Sequence, residues 1–488
     1  MHFKKFIKNN YLIIFILIGI ILHLISIYFT IGFYSDDEHF QILEIAAYKL
    51  GINKIAINDP TGYYWEWENH IRMRPWIQPF LYFKLISIFK IYSNDPFVWT
   101  LILRFLSSII GFISIVCLFF TFKNIFFKNN KIFNYFLFFS FWFYPFLHSR
   151  TSSENISLSI YIISLCILYK FITEKKILFN IYYFSFASFL LGISMVFKFT
   201  TVFSALPIFF WFLIFSFNFK KLLIFCTLIL VALSIGLFID YINWGSFKNT
   251  YYQFYFHNLS SGVYGRMKDF GVDPWYFYFI EILKQLAPPS SIFYLSGLVI
   301  YWFKNPKSLL TFITVFTFSV FCLIGHKELR YIFSIYIFAP FFIAYLIDLF
   351  KNKKIIISIK SITIISNLLF LLITLFFPAN SKVGIYKYLF ENYNDKTPLY
   401  FIGENPYQVN NMEPFFYTNY LPPIKEFKGK KIKSTKFIIV SNDFEKFNSY
   451  QNLKCINIYS TYPSSIINLN NNWKRLKINW NIYNCSYF

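Results

Sequence analysis

Charge is what this chain has least of. Only 14% of its 488 residues are Asp, Glu, Lys or Arg, roughly half the share that soluble domains carry. That scarcity excludes a soluble globular protein, and a hydrophobic share of 57% excludes a disordered chain. Sixteen glycines exclude a collagen-like fibre, and six cysteines exclude a disulfide scaffold. No CxxC pair or His/Cys cluster at zinc spacing occurs. What is abundant is aromatic, with 69 Phe and 38 Tyr. The scarce charge is also one-sided: 46 Lys+Arg oppose 23 Asp+Glu, a net +23. A nucleic-acid binder needs a basic groove on a soluble fold, and this chain is too apolar for one. Nucleic acid is therefore not expected as a partner. An α-helical polytopic membrane protein accommodates both facts if the positive charge gathers on one side of the bilayer.

A membrane helix needs about 20 apolar residues. The first such run is Tyr11–Phe33, without a charge between Lys8 and Asp36. It is longer than a signal-peptide core and no small-residue cleavage site follows, so it reads as a retained span. Further runs lie at 97–122, 132–149, 155–172, 177–197, 199–217, 222–239, 286–303, 308–325, 331–349 and 355–377. About eleven spans result, with the shortest separation at Lys198. Cytoplasmic loops are enriched in Lys and Arg. With the N-terminus inside, the inner loops hold Lys4, Lys5, Lys8, Lys123, Lys128, Lys131, Lys175, Lys176, Lys220, Lys221, Lys304, Lys307, Lys351, Lys353 and Lys354, and Glu174 is the acid among them. The other loops hold Asp36, Asp37, Glu38, Glu66, Glu68, Asp240, Asp269, Asp273 and Glu328.

The expected organisation is a transmembrane catalytic domain over 1–377 and a small α/β domain over 378–488 on the outer face. The outer loops 34–96 and 240–285 carry the site motifs. In loop 34–96 a helical pattern surrounds Phe40–Leu50, and an amphipathic stretch runs near Pro79–Tyr92, its Lys84 and Lys90 able to snorkel. Beyond Pro378 β-like runs appear at 398–402, 436–440 and 454–459. Cys117, Cys166, Cys226 and Cys322 lie in spans, where packing is the ordinary reading. Cys455 and Cys485 lie in the outer domain, where a bridge between them is left open.

Three clusters carry candidate chemistry. Ser35-Asp36-Asp37-Glu38-His39-Phe40-Gln41 follows the first span. Adjacent carboxylates repel, and at a membrane surface one of them is expected to titrate high, which suits a general base. The same cluster suits a divalent cation, but no His at metal spacing supports one, so no metal or other cofactor is assigned. The plain alternative is a solvated acidic loop. The second cluster is Gly62-Tyr63-Tyr64-Trp65-Glu66-Trp67-Glu68 with Arg72, Arg74 and Trp76. Such aromatics serve as an interfacial belt, or stack on sugar C–H faces beside carboxylates that accept hydroxyl hydrogen bonds. The third, His326-Lys327-Glu328-Leu329-Arg330-Tyr331, puts cations on the face expected to be poor in them. A lipid-linked phosphate would suffice as the partner; an ion network at a helix end is the alternative. Arg150-Thr151-Ser152-Ser153-Glu154, Lys198, Tyr264-Gly265 and Asp273-Pro274-Trp275-Tyr276 all fall on the same expected face.

In this order these residues resemble glycosyltransferase family 22, the Alg9-like and GPI mannosyltransferase superfamily. The family's His-Pro-Asp-Glu, aromatic, Gln pattern is matched by Ser35-Asp36-Asp37-Glu38-His39-Phe40-Gln41. Its Thr-Trp-Glu-Trp, Arg and Pro are matched by Tyr64-Trp65-Glu66-Trp67, Arg74 and Pro79. Its Arg-Thr is matched by Arg150-Thr151. Its Asp, Tyr-Gly and Pro-Trp-x-x-Tyr are matched by Asp240, Tyr264-Gly265 and Pro274-Trp275-Tyr276-Phe277-Tyr278, and its His-Lys-Glu-x-Arg-Phe by His326 to Tyr331. The match covers about residues 10–350. Ser35 and Asp36 replace His-Pro, and 378–488 matches nothing in the family pattern. The Trp-Glu-Trp form leans toward the GPI-type branch.

The resemblance implies a class C glycosyltransferase fold and an inverting mannosyltransferase. The implied donor is a polyprenyl-phosphate sugar, the implied acceptor a lipid-linked glycan or glycolipid, with membrane lipids around both. It implies Asp37 as base, with Glu38 orienting sugar hydroxyls and Asp36 as the competing base. His326, Lys327, Arg330 and Arg150 would hold the donor phosphate. Trp65, Glu66, Trp67, Arg74, Trp275 and Tyr276 would line the sugar or acceptor site. Transfer of another sugar, or to protein, is the neighbouring alternative. A lipid-linked glycan transporter is the alternative from another class, although its groups would sit near the midplane and the ionisable residues here crowd one face. The short loops favour a bacterial inner membrane over the ER membrane.

Overall fold

The computed structural model describes residues 2–53, 64–173, 180–260, 271–393, 398–429, 436–450, 452–468 and 478–487. Tyr264-Gly265, Gly62-Tyr63, Asp269, Glu174, Lys175 and Lys176 lie outside the described residues.

Among the described residues each of the eleven apolar runs is largely helical, and 177–179 of the run 177–197 lie outside them. Among the described residues five helices are long and apolar enough to cross a membrane: Asn10–Phe29, Pro96–Phe126, Ser153–Phe171, Phe219–Trp244 and a stretch within Lys353–Asn392. Two further pairs pass together but are bent, by 118° between Ser290–Lys304 and Leu309–Leu323 and by 57° between Leu329–Tyr336 and Ala339–Leu349. Ile77–Phe89, Ile181–Phe197 and Phe199–Phe215 are shorter apolar helices. These helices make a multi-pass membrane protein.

Two compact units divide the chain. The first comprises Met1–Ser26, Glu66–Phe80 and Arg104–Leu375, and the second Ile27–Trp65, Leu81–Leu103 and Phe376–Phe488.

The core of the first unit is a mass of buried aromatics, among them Phe119, Phe138, Phe143, Tyr144 and Phe341. The 132–149 run is not one helix. It divides into Lys131–Phe139 and Phe143–His148, and the side chain of Asn367 repairs the gap. Its Nδ2 donates to the Ser140 carbonyl at 2.9 Å, and its Oδ1 accepts from the Trp142 N–H at 2.9 Å. Broken backbone at membrane depth survives where protein groups satisfy it. Likewise the Tyr144 hydroxyl donates to the Ile337 carbonyl at 2.9 Å, next to the bend in 329–349.

In the second unit the pattern around Phe40–Leu50 forms the helical turns Asp36–Glu38, His39–Leu43 and Glu44–Lys49. Among its described residues the C-terminal part carries five strands: β1 Leu399–Ile402, β2 Ile424–Glu426, β3 Phe437–Ser441, β4 Leu453–Ser460 and β5 Asn481–Tyr487. Their order is β2-β1-β3-β5-β4, parallel across β2-β1-β3 and antiparallel from β3 to β5 to β4. The three β-like runs of the sequence correspond to β1, β3 and β4. Ile402, Phe427, Phe437, Ile439 and Tyr483 form the sheet's core. Cys455 and Cys485 are paired across β4 and β5 and form a disulfide.

Candidate active site

In the first unit the third cluster becomes a connected ion network. Glu154 stands in the first turn of the Ser153–Thr173 helix, where a carboxylate is favoured by the helix dipole. Its Oε1 accepts from Lys198 Nζ at 2.7 Å and from Arg330 Nη1 at 3.2 Å. Arg330 also forks onto Glu328, with Nε 2.5 Å from Oε2 and Nη2 2.8 Å from Oε1. The Tyr331 hydroxyl, at 3.2 Å, and His326 Nε2, at 3.4 Å, meet the same Glu328 Oε1. Lys198 reaches Glu154 because the chain is extended there, between the Asn180–Phe197 helix and the turn Phe199–Thr201. Glu154, Lys198 and Arg330 line a small cavity together with the hydroxyls of Thr201, Ser204 and Ser334. Two cations and two carboxylates balance, so an arriving phosphate competes with Glu154 and Glu328 for the same N–H groups.

The other expected phosphate ligands are placed differently. Lys327 donates to the carbonyls of Ile324, Asp273 and Gly325 at 2.5, 2.8 and 3.3 Å. Burial holds its amine below the usual lysine range, against the opposing pull of Asp273. With three N–H groups on three carbonyls it acts as a clasp for the loop. The Asp273 N–H returns a 3.0 Å bond to the Gly325 carbonyl, so the structure joins the Asp273–Tyr276 motif to the His326–Tyr331 motif. Trp275 and Tyr276 themselves are exposed and pack edge to face. Arg150 is buried, its Nε on the Phe146 carbonyl at 3.2 Å and its Nη2 on Ser149 Oγ at 3.0 Å.

The second cluster also closes on itself. Arg74 grips Glu66 through two bonds, Nε to Oε2 at 2.9 Å and Nη2 to Oε1 at 2.5 Å. Trp67 is buried against Trp76 and Trp244, with ring centroids 5.0 and 5.8 Å away. Asp240 pins this cluster: its Oδ1 accepts from the Trp76 N–H at 2.7 Å and its Oδ2 from Thr250 Oγ1. The indole N–H groups of Trp67 and Trp244 are buried without a hydrogen-bond partner among the described residues. Trp65, at the start of the same turn, is half-buried.

In the second unit the acidic triad opens a helix, and its members differ. Glu38 is buried and accepts from the Tyr34 N–H at 3.0 Å. Asp36 and Asp37 are half-buried, and Asp36 Oδ2 accepts from Asn410 Nδ2 at 2.5 Å. His39 is fully buried with its Nε2 2.8 Å from Glu44 Oε1. Glu44 also accepts from Asn53 Nδ2 and from the Phe416 N–H, each at 2.9 Å. The His39 ring stacks on Tyr417 at 5.5 Å. His39 and Glu44 are therefore internal supports of the segment that carries Asp36 and Asp37. Among the described residues no group of three or more His, Cys, Asp or Glu is placed to hold a metal ion.

Sequence reading missed the Glu154–Lys198 pair as partners of Arg330. The available signal was physical: a lysine at a span end needs a counter-charge, and Glu154 was a carboxylate expected on the same face. Asn410 carried no such signal.

Comparison with solved structures gives the class. The chain matches ArnT from Cupriavidus metallidurans bound to undecaprenyl phosphate with a TM-score of 0.58 at 9% identity, covering 98% of each chain. It matches the Archaeoglobus fulgidus oligosaccharyltransferase with a TM-score of 0.51 at 12% identity, covering 85% of this chain and 62% of that one. The fold is that of the class C membrane glycosyltransferases. Residues 13–416 match the Alg9-like mannosyltransferase family, and the chain belongs to that family. Two curated relatives are similar. One is the probable Dol-P-Man:Man(7)GlcNAc(2)-PP-Dol alpha-1,6-mannosyltransferase of Schizosaccharomyces pombe, 28% identical over 113 residues, 23% of this chain and 20% of the relative. The other is GPI alpha-1,2-mannosyltransferase 3 of Bos taurus, 24% identical over 357 residues, 71% of this chain and 60% of the relative. The matches thus span a fifth and three fifths of those relatives' lengths.

Proposed function

We propose that this chain is an inverting mannosyltransferase that takes its sugar from a polyprenyl-phosphate donor and extends a lipid-linked glycan or glycolipid. The observation that carries the reading is the cavity where Lys198 and Arg330 share Glu154 among hydroxyl-bearing residues. A phosphodiester leaving as a phosphate monoester gains negative charge, and paired cations stabilise charge that develops in the transition state. In the reaction Asp37 takes the proton of the acceptor hydroxyl as its oxygen attacks the anomeric carbon. The bond from that carbon to the phosphate oxygen breaks, and polyprenyl phosphate departs. Attack opposite the leaving group inverts the configuration. One carboxylate suffices, because a phosphate needs little protonation to leave, unlike the alkoxide leaving group of a glycoside.

Glu38 supports the segment through Tyr34, and Asp36 is the competing base. His326 acts on the phosphate through Glu328, Lys327 by holding the loop, and Arg150 by ordering its own turn. Glu66, Trp67 and Arg74 form the sugar-facing group of the first unit, where the indole N–H groups of Trp67 and Trp244 would donate to hydroxyl oxygens, and Trp65 offers a further ring to a sugar. Trp275 and Tyr276 offer exposed rings to an acceptor. No cofactor is assigned. The transmembrane part over 1–377 would carry the chemistry and 378–488 would bear on the acceptor. The bovine relative's name favours a GPI-type glycolipid and the yeast relative's name a dolichol-linked glycan. Both relatives are eukaryotic, which supports an ER membrane against the bacterial inner membrane that loop length favours.

The test uses purified full-length chain with radiolabelled polyprenyl-phosphate mannose, glucose and pentose donors and both acceptor classes. Transfer of mannose to lipid supports the reading. Another sugar or a protein product moves it to the neighbouring transferases, and vesicle-to-vesicle movement of lipid-linked glycan without transfer replaces it by a transporter.

A further inference from the structure

A second polar feature lies in the first unit, remote in sequence from every candidate catalytic residue. Lys360 stands inside the Lys353–Phe376 helix, where the surrounding sequence is Ile, Ser and Thr and a charge is costly. Its amine turns onto Asn130 Oδ1 at 2.6 Å and passes over the Phe133 ring at 5.4 Å. Asn130 is the left-handed residue, φ 52°, that caps the Lys131–Phe139 helix. Lys131 follows it. Lys360 and Lys131 rim an open groove of about 690 Å³ whose wall is Phe15, Ile132, Phe136 and Ile364. Nearby charge is accounted for by Lys128 and Asp348, with Asn129 bonded to Asp348. Lys128 and Lys360 thus share one carboxylate, Asp348, and Lys131 stands at the mouth of the same apolar groove between three helices, without an acidic residue lining it among the described residues.

Depth agrees along two helices. Phe15 is seven residues beyond Lys8, and Lys360 is six beyond Lys354. At 1.5 Å per residue each lies roughly 10 Å in from its basic end, the depth at which headgroups give way to acyl chains. A lysine at that depth reaches back toward the headgroup level, and the Lys360–Asn130 bond has that form.

We propose that this groove is a binding site for an anionic diacyl phospholipid. Its phosphate sits between Lys131 and Lys360, and one acyl chain lies along Phe15, Ile132, Phe136 and Ile364. Basic pockets between membrane helices select anionic headgroups by charge, and the apolar wall supplies affinity without selectivity. An anionic lipid also supplies the counter-charge that Asp348 alone does not. The site is independent of the transferase reading, since none of its residues belongs to the candidate active site.

The full-length chain is purified in detergent and offered phosphatidylglycerol or phosphatidylcholine, with retained lipid counted by native mass spectrometry. Phosphatidylglycerol is expected to be retained roughly tenfold better, the ratio of about one headgroup charge paired with lysine. Lys131→Gln with Lys360→Met is expected to remove that preference and leave phosphatidylcholine retention unchanged. Equal retention of both lipids by the natural chain overturns the proposal, as does a preference that survives the double substitution. If the double variant fails to fold, Lys131→Gln alone, on an exposed side chain, must lower the preference by about threefold or the proposal falls. Mannosyl transfer in phosphatidylcholine alone reports on the proposed function and not on the groove.

Discussion

Lys198 and Arg330 bond to one and the same oxygen, Glu154 Oε1, from 2.7 and 3.2 Å. An arriving phosphate competes with that carboxylate for both cations, whereas Lys327 is spent on three backbone carbonyls, and this separates Lys198 from Lys327. Lys198→Met is expected to raise the apparent KM for the lipid-phosphate donor about tenfold with a smaller change in kcat, the loss of one charge-assisted bond. Lys327→Met is expected to lower the thermal midpoint and spare the donor KM. Donor titrations and unfolding of both variants check this; the reverse pattern returns Lys327 to the phosphate.

Asp37→Asn is expected to express normally and to lose transfer by about a thousandfold, the scale of a general base. Glu38→Gln keeps an acceptor for the Tyr34 N–H and is expected to lose far less. Single-turnover transfer in membranes measures both, and a dead Asp36→Asn beside an active Asp37→Asn would exchange their roles.

Asn410 tests whether the C-terminal part holds the acidic segment in register. Asn410 and Asn411 both have positive φ, 50° and 64°, and the flanking Val409 and Met412 exchange two 2.8 Å backbone bonds. Asn410→Gly suits that backbone and removes only the amide that meets Asp36. It is expected to lower kcat about threefold to tenfold, with donor KM unchanged, as misplaced catalytic groups do. Asn411→Gly is the control and is expected to behave as the natural chain.

Glu413 gives a pH test. Burial, with Glu44 adding to it, lifts its carboxyl above the ordinary 4.5 against the Thr418 hydrogen bond. A raised carboxyl is at no disadvantage below its unfolded value and becomes destabilising as pH climbs through its folded value. Glu413→Gln is therefore expected to match the natural chain's thermal midpoint at about pH 4 and exceed it at about pH 8. Identical midpoints across that range would refute the shift.

The Glu66–Arg74 pair, with side chains 12% and 15% exposed, should respond as a unit. Removing either partner leaves a largely buried charge, so the losses of Glu66→Ala and Arg74→Ala are expected to sum to more than the loss in the double variant. A coupling of about 1–3 kcal/mol in a double-mutant cycle is the expected reading.

The spans were legible because an uninterrupted apolar run has only one stable solution in a bilayer. Their interruptions were not. Asn367 repairs the Ser140–Trp142 gap from more than two hundred residues away, and nothing local in FFSFWF announces a break. The same distance hid the ion network, since Glu154, Lys198 and Arg330 are each unremarked charges until the helices bring them together. Strands β1 and β3 stood out as Leu-Tyr-Phe-Ile and Phe-Ile-Ile-Val. Strand β2 is three residues long with Lys425 and Glu426 exposed, and β5 reads Asn-Ile-Tyr-Asn-Cys-Ser-Tyr, with Ile482 and Tyr483 adjacent and polar residues around them, so neither carries an alternating apolar period. The acidic triad was visible as three equal carboxylates. Only structure separates the buried Glu38 from the half-buried aspartates.

Trp67, Trp76 and Trp244 come from two distant stretches of chain, and every pair of rings is within 6 Å, the Arg72 guanidinium lying 4.8 Å from the Trp244 centroid. Indoles at that spacing share their excited states, so the first unit carries its own optical signature. An exciton couplet in the near-ultraviolet dichroism would report that Glu66–Phe80 is seated on the Phe219–Trp244 helix, in micelles and without a label. Its fading would mark the unseating of the Glu66–Arg74 segment before any assay for sugar transfer could be run.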